Sequence, residues 1–340
     1  MRSISRWRHH FGFNRLDKPF LKEGLPNLSS EEKKQIKKAW PGLDISELDY
    51  IWPRIFKEKV GFSPYFLGDL WVEDIEHIVN PQNQLVSLEN KALCDVYFPE
   101  LNFPEPYVRC LNGICYDRDM NHISVEEATN LLCEKGQYII KPSVGTMQGK
   151  GVRKVSANKG IDIKTIFRVG GGNFIAQEVL KQLPLIEQLN PTSLNCFRIT
   201  SIYINGRFDY TTILKVGKKG AERDNWNSSI LMGIDKNGCA NKVGYDYQLN
   251  QFDRTDSGFV LSDIVVPEFD KLTVFVEKYH KKYFPNCGII GWDITIDEKG
   301  AIRVIETNLT APGLQAEQLC SGDFLKPFCK DINEIILNKL

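Results

Sequence analysis

Oxygen-bearing side chains mark a predicted β-hairpin near the end of this sequence. Residues 291–296 and 302–308 are largely apolar with alternating polar positions, and an Asp-Glu-Lys-Gly turn follows the first run, which predicts two paired strands. Because strand side chains alternate between faces, we expect one face of the second strand to carry Ile302, Val304, Glu306 and Asn308. Asp293 on the first strand adds a carboxylate, and Mg²⁺ binds such hard oxygens together with substrate phosphates. Taken alone, the segment fits a solvated hairpin end equally well.

A glycine-rich loop follows a short apolar strand predicted at residues 137–141. In the loop, residues 142–151, many backbone N–H groups are free to turn toward phosphate oxygens, and Lys141 and Lys150 supply positive charge. The spacing is not that of a Walker A loop, and residues 152–155 predict a second strand rather than a helix. The loop is therefore interpreted as the lid of a hairpin, with an ordinary flexible surface hairpin as the alternative.

Taken in order, these segments resemble the ATP-grasp superfamily. The resemblance rests on a strand lysine that enters a glycine-rich hairpin, then residues 174–179, then a hairpin with Asp and Glu-x-Asn. Further runs are similar to those of sugar-transfer-associated ATP-grasp proteins, which occur in bacterial gene clusters for capsule and surface polysaccharide synthesis: residues 189–200, 290–293 and 312–313. The resemblance spans roughly residues 90–318, and the first eighty-odd residues carry no motif that we recognise.

The resemblance implies a role for each candidate residue. The lysines that contact the ATP phosphates are Lys91 and Lys141, and the lid residues that surround the phosphates are Ser143, Gly145, Gly149, Lys150 and Gly151. The residues that face the transferred group are Arg198 and Lys215. The inter-lobe linker that reads the adenine edge is Gln177, Glu178, Val179 and Leu180, and the ribose carboxylate is Glu187 or, alternatively, Glu178. The magnesium ligands are Asp293, Glu306 and Asn308, with Glu306 placed to bridge two ions.

The reaction that the resemblance implies is ligation of a carboxylate to an amine. ATP phosphorylates the carboxylate, and the amine attacks the acyl phosphate to form an amide, ADP and phosphate. The carboxylate would be a uronic acid or an amino acid, the other partner an amino sugar or small amine, and Trp226 either stacks on a sugar ring or is a partly buried hairpin aromatic. Two alternatives remain: a phosphotransferase acting on a sugar or alcohol, and a nucleotide-binding scaffold without turnover. A complete metal set argues against the scaffold.

The order of predicted elements indicates an α+β protein of the ATP-grasp fold, with mostly antiparallel sheets. We expect a mainly helical region over 1–85, a first lobe with the lid over 86–178, and a second lobe with the metal hairpin over 179–340, with ATP between the lobes. Strands near 196–204, 208–217 and 227–234 follow one another directly, which argues against a doubly wound parallel sheet. Capping boxes predict helices after Ser29 and Ser124, and further helices are predicted around Lys91, at 161–168 and at 266–283.

The composition predicts a cytoplasmic protein without nucleic-acid or membrane partners. Acidic and basic residues number 43 each, so no net charge favours a polyanion or an anionic surface. No run approaches the ~20 apolar residues of a membrane helix, and the basic start lacks an apolar signal core. The nine scattered cysteines are typical of reduced thiols rather than a disulfide framework. Association with polysaccharide assembly enzymes is expected only from the resemblance.

Overall fold

The computed structural model describes residue 20 and residues 24–145, 149–156, 168–221 and 226–339. Within that part of the chain the α-helices are α1 (Ser30–Ala39), α2 (Ile51–Lys59), α3 (Asp69–Val79), α4 (Gln82–Leu85), α5 (Cys94–Tyr97), α6 (Val125–Lys135), α7 (Pro184–Glu187), α8 (Phe269–Tyr283), α9 (Gln315–Ser321) and α10 (Cys329–Lys339). Short 3₁₀ helices lie at Glu47–Tyr50, Val86–Glu89, Pro99–Leu101, Val169–Gly171, Trp226–Ser228, Leu261–Asp263 and Lys326–Phe328. None of the helices described is both long enough and apolar enough to cross a membrane.

The strands form two sheets, and every strand pair described is antiparallel. The small sheet, ordered β3-β2-β1-β6-β4-β5, consists of β1 (Pro106–Leu111), β2 (Ile114–Tyr116), β3 (His122–Ile123), β4 (Gln137–Pro142), β5 (Arg153–Ser156) and β6 (Phe174–Gln177). The large sheet, ordered β11-β10-β9-β8-β7-β12-β13, consists of β7 (Cys196–Ile204), β8 (Arg207–Gly217), β9 (Ser229–Ile234), β10 (Ala240–Tyr245), β11 (Gln251–Phe252), β12 (Ile289–Ile296) and β13 (Ile302–Asn308). The predicted α+β architecture with antiparallel sheets is confirmed.

Local sequence signals account for several boundaries. Both predicted capping boxes form, because the Ser29 and Ser124 side chains accept from the backbone three residues on, while Glu32 and Glu127 bond back to the cap. The helix predicted around Lys91 is wrong at that residue, which lies in a turn ahead of α5. The helix predicted at 161–168 lies outside the described residues, except for its last residue, which is in a turn.

The large sheet is covered on both faces. On one face α8 buries Leu272, Val276 and Tyr279, spaced as one helix stripe, against a cluster that includes Trp292 and Ile294 of β12. On the other face the N-terminal helices and α10 pack against the end of the sheet, as the cluster of Trp71, Ile75, Ile202, Ile289 and Ile332 shows. Helices of the predicted N-terminal region therefore lie against the same sheet that carries the predicted metal hairpin.

Candidate active site

The hairpin of β12 and β13 contains one irregularity at the site. Asp293 pairs with Glu306, but Ile294 pairs with Val304, so β13 holds one extra residue between the two pairs. Such a β-bulge changes the face to which the following side chains point. The expectation that one face carries Ile302, Val304, Glu306 and Asn308 is therefore wrong: Ile302 and Val304 pack in the core with Ile294, whereas Glu306 and Asn308 lie on the side of Asp293.

Asp293 is the centre of a partly buried charge cluster. Its carboxylate accepts from Arg198 Nε at 3.0 Å and Nη2 at 2.9 Å, and from Lys215 Nζ at 2.7 Å. Asn308 Nδ2 lies 3.2 Å from the second carboxylate oxygen. Burial by itself would raise the pKa of Asp293, but Arg198 and Lys215 outweigh it and hold that pKa well below its usual range. The carboxylate is thus ionised, and its two cations are fixed in position.

A second cluster lies where the two sheets meet. Lys91 Nζ contacts Glu306 Oε1 at 2.8 Å, and Lys141 Nζ donates to the backbone oxygen of Ile305 at 3.4 Å. Lys141 is only 7% exposed, in line with its predicted place in an apolar strand. A cavity here is lined from both sides, by Lys91, Lys141 and Gln177 and, from β13, by Ile305, Glu306 and Thr307. Glu306 and Asn308 connect this cavity to the Asp293 cluster through the same strand.

The predicted lid is a hairpin, because β4 pairs with β5. Ser143 is buried at the base of the hairpin. Its backbone N–H donates to the backbone oxygen of Asn173, and its backbone oxygen accepts from the Lys91 N–H at 2.9 Å. Lys150 lies exposed in the turn, and Gly145, Gly149 and Gly151 all have positive φ. At the last of these, a Cβ would lie 2.8 Å from a ring carbon of Pro142. The tip, residues 146–148, lies outside the described residues.

The linker and ribose candidates are less tightly grouped. Gln177 ends β6 and lines the cavity, and Val179 and Leu180 follow it half-buried. The Glu178 carboxylate is held by Arg303 and by the N–H of residue 105 at 2.7 Å. Glu187 is exposed at the end of α7, and it does not line the cavity. The adenine and ribose roles stay predictions, as does the sugar-stacking role of Trp226, whose side chain and preceding residues lie outside the described part.

The donor set fits a magnesium ion. Among the described residues, no group of three or more His, Cys, Asp and Glu side chains is arranged to hold a metal. The site instead offers two facing carboxylates and one amide, Asp293, Glu306 and Asn308. Both oxygens of Asp293 already accept hydrogen bonds from Arg198 and Lys215, so Glu306 is the more accessible carboxylate. Mg²⁺ is commonly bound by one or two carboxylates, with substrate phosphates and water completing its shell. The Glu306 side chain is 32% exposed, so a magnesium ion bound to a nucleotide can reach it.

Residues that the sequence analysis missed hold the segment just beyond β13. Glu76, Asn80 and Glu89, all from the N-terminal part of the chain, bond to the backbone between residues 288 and 313. Glu76 and Glu317 are also buried carboxylates, and burial raises the pKa of each. A polar residue inside an apolar helical stripe, such as Glu76 between Ile75 and Val79, was the available signal.

Comparison with known proteins identifies the family. The model of the sugar-transfer associated ATP-grasp family matches residues 161–334, just over half of the chain. The chain belongs to this family. The matched range includes Arg198, Lys215 and the β12–β13 hairpin. No curated protein sequence matches the chain.

Three solved structures are similar to this chain at low sequence identity. D-alanyl-alanine synthetase A from Vibrio cholerae O1 is 13% identical with a TM-score of 0.45, over 74% of this chain and 66% of that one. The ATP-grasp ligase PsnB with its minimal precursor is 16% identical with a TM-score of 0.43, over 74% and 61%. D-cycloserine synthetase DcsG is 14% identical with a TM-score of 0.45, over 78% and 77%. The chain thus spans slightly under two thirds of the first two proteins.

Proposed function

We propose that this chain is an ATP-dependent ligase that joins a carboxylate to an amine through an acyl phosphate. ADP and phosphate are the other products, and the reaction belongs to bacterial capsule or surface polysaccharide synthesis. Membership of the sugar-transfer associated ATP-grasp family supports the proposal. The observation that carries it is the Asp293 cluster, in which Arg198 and Lys215 are fixed beside the facing carboxylate Glu306.

The charges support transfer of a phosphoryl group. Such a transfer depends on positioning and on neutralising several negative oxygens, with cations and N–H dipoles already in place. Lys91 and Lys141 lie at the cavity between the sheets, where they would contact the ATP phosphates, and the lid glycines would offer N–H groups. When bound by Asp293, Glu306 and Asn308, one or two magnesium ions would withdraw charge from the phosphates.

Arg198 is suited to the acyl phosphate. Two of its guanidinium nitrogens are held by Asp293, and Nη1 donates to the backbone oxygen of Pro312 at 2.7 Å. This fork is therefore rigid, and a rigid planar donor binds a carboxylate or phosphate at little cost in side-chain entropy. Lys215, on the neighbouring strand β8, adds a cation on the same carboxylate. We assign these residues to the transferred group and to the intermediate.

The substrates proposed are small. The carboxylate is a uronic acid or an amino acid, and the nucleophile is an amino sugar or a small amine. We place the reaction in the cytoplasm, because all nine cysteines are free thiols and a reducing compartment keeps them so. Association with polysaccharide assembly enzymes is part of the same proposal.

The test is release of ADP and phosphate with Mg-ATP across a matrix of uronic acids, amino acids and amines. Mass spectrometry follows every positive mixture. The ligase predicts both products together, with a compound one water lighter than its two substrates combined. ADP without phosphate, beside a compound heavier by one phosphoryl group, would replace the ligase by a phosphotransferase. Mg-ATP binding without ADP formation in any mixture would favour the scaffold.

A further inference from the structure

Side chains from residues 76–89 hold the backbone that directly follows β13, the strand of Glu306 and Asn308 and hereafter the metal strand. β13 is the edge strand of the large sheet, and within the described part of the chain the segment beyond Asn308 pairs with no strand. Buried or half-buried backbone groups need hydrogen-bond partners. Here the partners come from four side chains, Glu76, Asn80, Gln82 and Glu89.

Asn80 joins the two ends of the metal hairpin. Its side chain is completely buried; the amide donates to the oxygens of Ile289 at 2.7 Å and Leu309 at 2.6 Å. Its oxygen accepts from the N–H groups of residues 288 and 289, at 2.9 and 3.0 Å. Both donors and both acceptor sites of the amide are used. The start of β12 and the end of β13 are therefore held at a fixed separation.

Glu89 holds the next two residues. Its Oε1 accepts from the N–H groups of Leu309 at 2.5 Å and Thr310 at 2.8 Å, and its Oε2 accepts from the Thr310 hydroxyl at 2.6 Å. Gln82 donates to the Thr310 oxygen at 3.0 Å. The backbone one and two residues beyond Asn308 is thus bonded on both its N–H and its carbonyl sides.

The same short segment also reaches the nucleotide side of the site. Two residues after Glu89, Lys91 pairs with Glu306, and its N–H donates to Ser143 at the base of the lid. Residues 89–91 therefore contact the end of the metal strand, a metal carboxylate and the lid. A displacement of Glu89 would therefore move Asn308 through the backbone of residues 309 and 310, and Glu306 through Lys91.

We propose that Glu89 is a positioning residue that fixes Glu306 and Asn308 for the magnesium–nucleotide complex, with Asn80 as its support. Its carboxylate borders the cavity and accepts three hydrogen bonds, two from backbone N–H groups and one from the Thr310 hydroxyl. We assign its effect to the backbone that these bonds hold. The inference rests on the nucleotide- and magnesium-binding part of the proposed function, not on the identity of the reaction. Groups that orient metal ligands are typically worth about 10–100-fold in metal affinity.

The test measures binding of ADP by calorimetry over a series of magnesium concentrations and in EDTA. Glu89→Gln keeps the shape of the side chain but places an N–H₂ group among three donors. We expect the gain in ADP affinity on adding magnesium to fall about tenfold, while ADP affinity in EDTA is unchanged. Thr310→Val removes one donor from the same contact, and a smaller loss of the same kind is expected.

The matched control is Asp235→Asn. The Asp235 carboxylate likewise accepts from two backbone N–H groups, those of residues 237 and 239, but in the turn between β9 and β10. The Asp235→Asn variant should leave the magnesium dependence of ADP affinity unchanged. Equal weakening of ADP binding with and without magnesium, or no change in Glu89→Gln and Thr310→Val, would overturn the inference. A wild-type protein that shows no magnesium-dependent ADP binding would instead refute the proposed function, and this inference with it.

Discussion

Arg198 and Asp293 are register partners on neighbouring strands, and two nitrogens of the arginine bond to the two oxygens of the aspartate. Burial lowers the pKa of the guanidinium by itself, but the ionised Asp293 outweighs this and raises it. Both groups therefore keep their charges in a partly buried place. Lys215 and Asn308 both contact the Asp293 carboxylate of this pair.

Replacing Arg198 by lysine tests this pair. Lysine keeps the charge, but a single ammonium cannot bond both oxygens of Asp293 and the Pro312 oxygen in the geometry of the fork. We expect ADP formation to fall by about 10²-fold, the loss typical of one preorganised donor. Initial rates with saturating Mg-ATP measure it. The control is Arg207→Lys. Arg207 pairs with Asp331 at the start of β8, whereas Lys215 lies near the end of that strand, so this variant should leave the rate unchanged. Equal losses in both variants would contradict the assignment.

Glu306→Ala is expected to abolish magnesium-dependent ADP formation and leave the fold intact. The carboxylate is partly exposed but its partner Lys91 is largely buried, so its loss should lower the free energy of unfolding by about 1–3 kcal/mol. Turnover and thermal unfolding on the same preparation measure both effects. Glu277→Ala, which removes an exposed carboxylate paired with Lys281 on α8, is the control. Normal turnover by a well-folded Glu306→Ala protein would refute the site.

His280 should make stability dependent on pH. It is buried between the Ser201 hydroxyl at 2.7 Å and the Cys287 oxygen at 2.9 Å, and burial lowers its pKa from 6.5 to about 4. Between these values the unfolded chain binds the proton and the folded chain does not, so stability falls as the pH falls. From pH 7 to pH 5 this costs about 2 kcal/mol.

Urea unfolding at those two pH values measures the effect. His280→Leu should lose this part of the pH dependence, although it is less stable at pH 7 because Ser201 and the Cys287 oxygen lose a partner. His77→Gln changes an exposed histidine and should keep the full dependence. The difference between variants is the quantity to compare, since the buried carboxylates Glu76 and Glu317 titrate with the opposite sign. Parallel pH profiles for His280→Leu and wild type would contradict the prediction.

Amide exchange should report closure of the lid over nucleotide. We expect exchange within residues 143–151 to slow on adding Mg-ATP, because N–H groups of this loop would bond to phosphate oxygens. Mass spectrometry of peptides from this loop measures it, with residues 235–239 in the β9–β10 turn as the reference. Unchanged exchange in the loop at saturating nucleotide would contradict the lid assignment.

Short-range patterns accounted for the strands of the lid and of the hairpin that carries the site, and for three of the longer helices. Strand β7 has the predicted bounds, and the capping boxes at Ser29 and Ser124 start their helices as expected. Such features depend on neighbouring residues, because a cap or an alternating strand is made within a few positions. The ATP-grasp resemblance was likewise visible in ordered motifs, and the family match agrees with it.

The orientation of the site was not accessible in the same way. Strict alternation put Val304 and Glu306 on one face, and the bulge between their pairs separates them. A bulge depends on how two strands pair, which the residues of one strand do not specify. The helix expected around Lys91 failed for a related reason, since that residue is held by Glu306 and Ser143, both distant in sequence.

By itself the sequence determined the fold class, the family and the identities of the charged and oxygen-bearing groups, because periodicity and motif order are local properties. Only the tertiary structure decided which groups meet. It joined Arg198 and Lys215 to Asp293, and it brought Asn80 and Glu89 to the end of β13 more than two hundred residues away. The physical reason is that a hydrogen bond or ion pair needs atoms within about 3 Å, and chain separation does not report that distance.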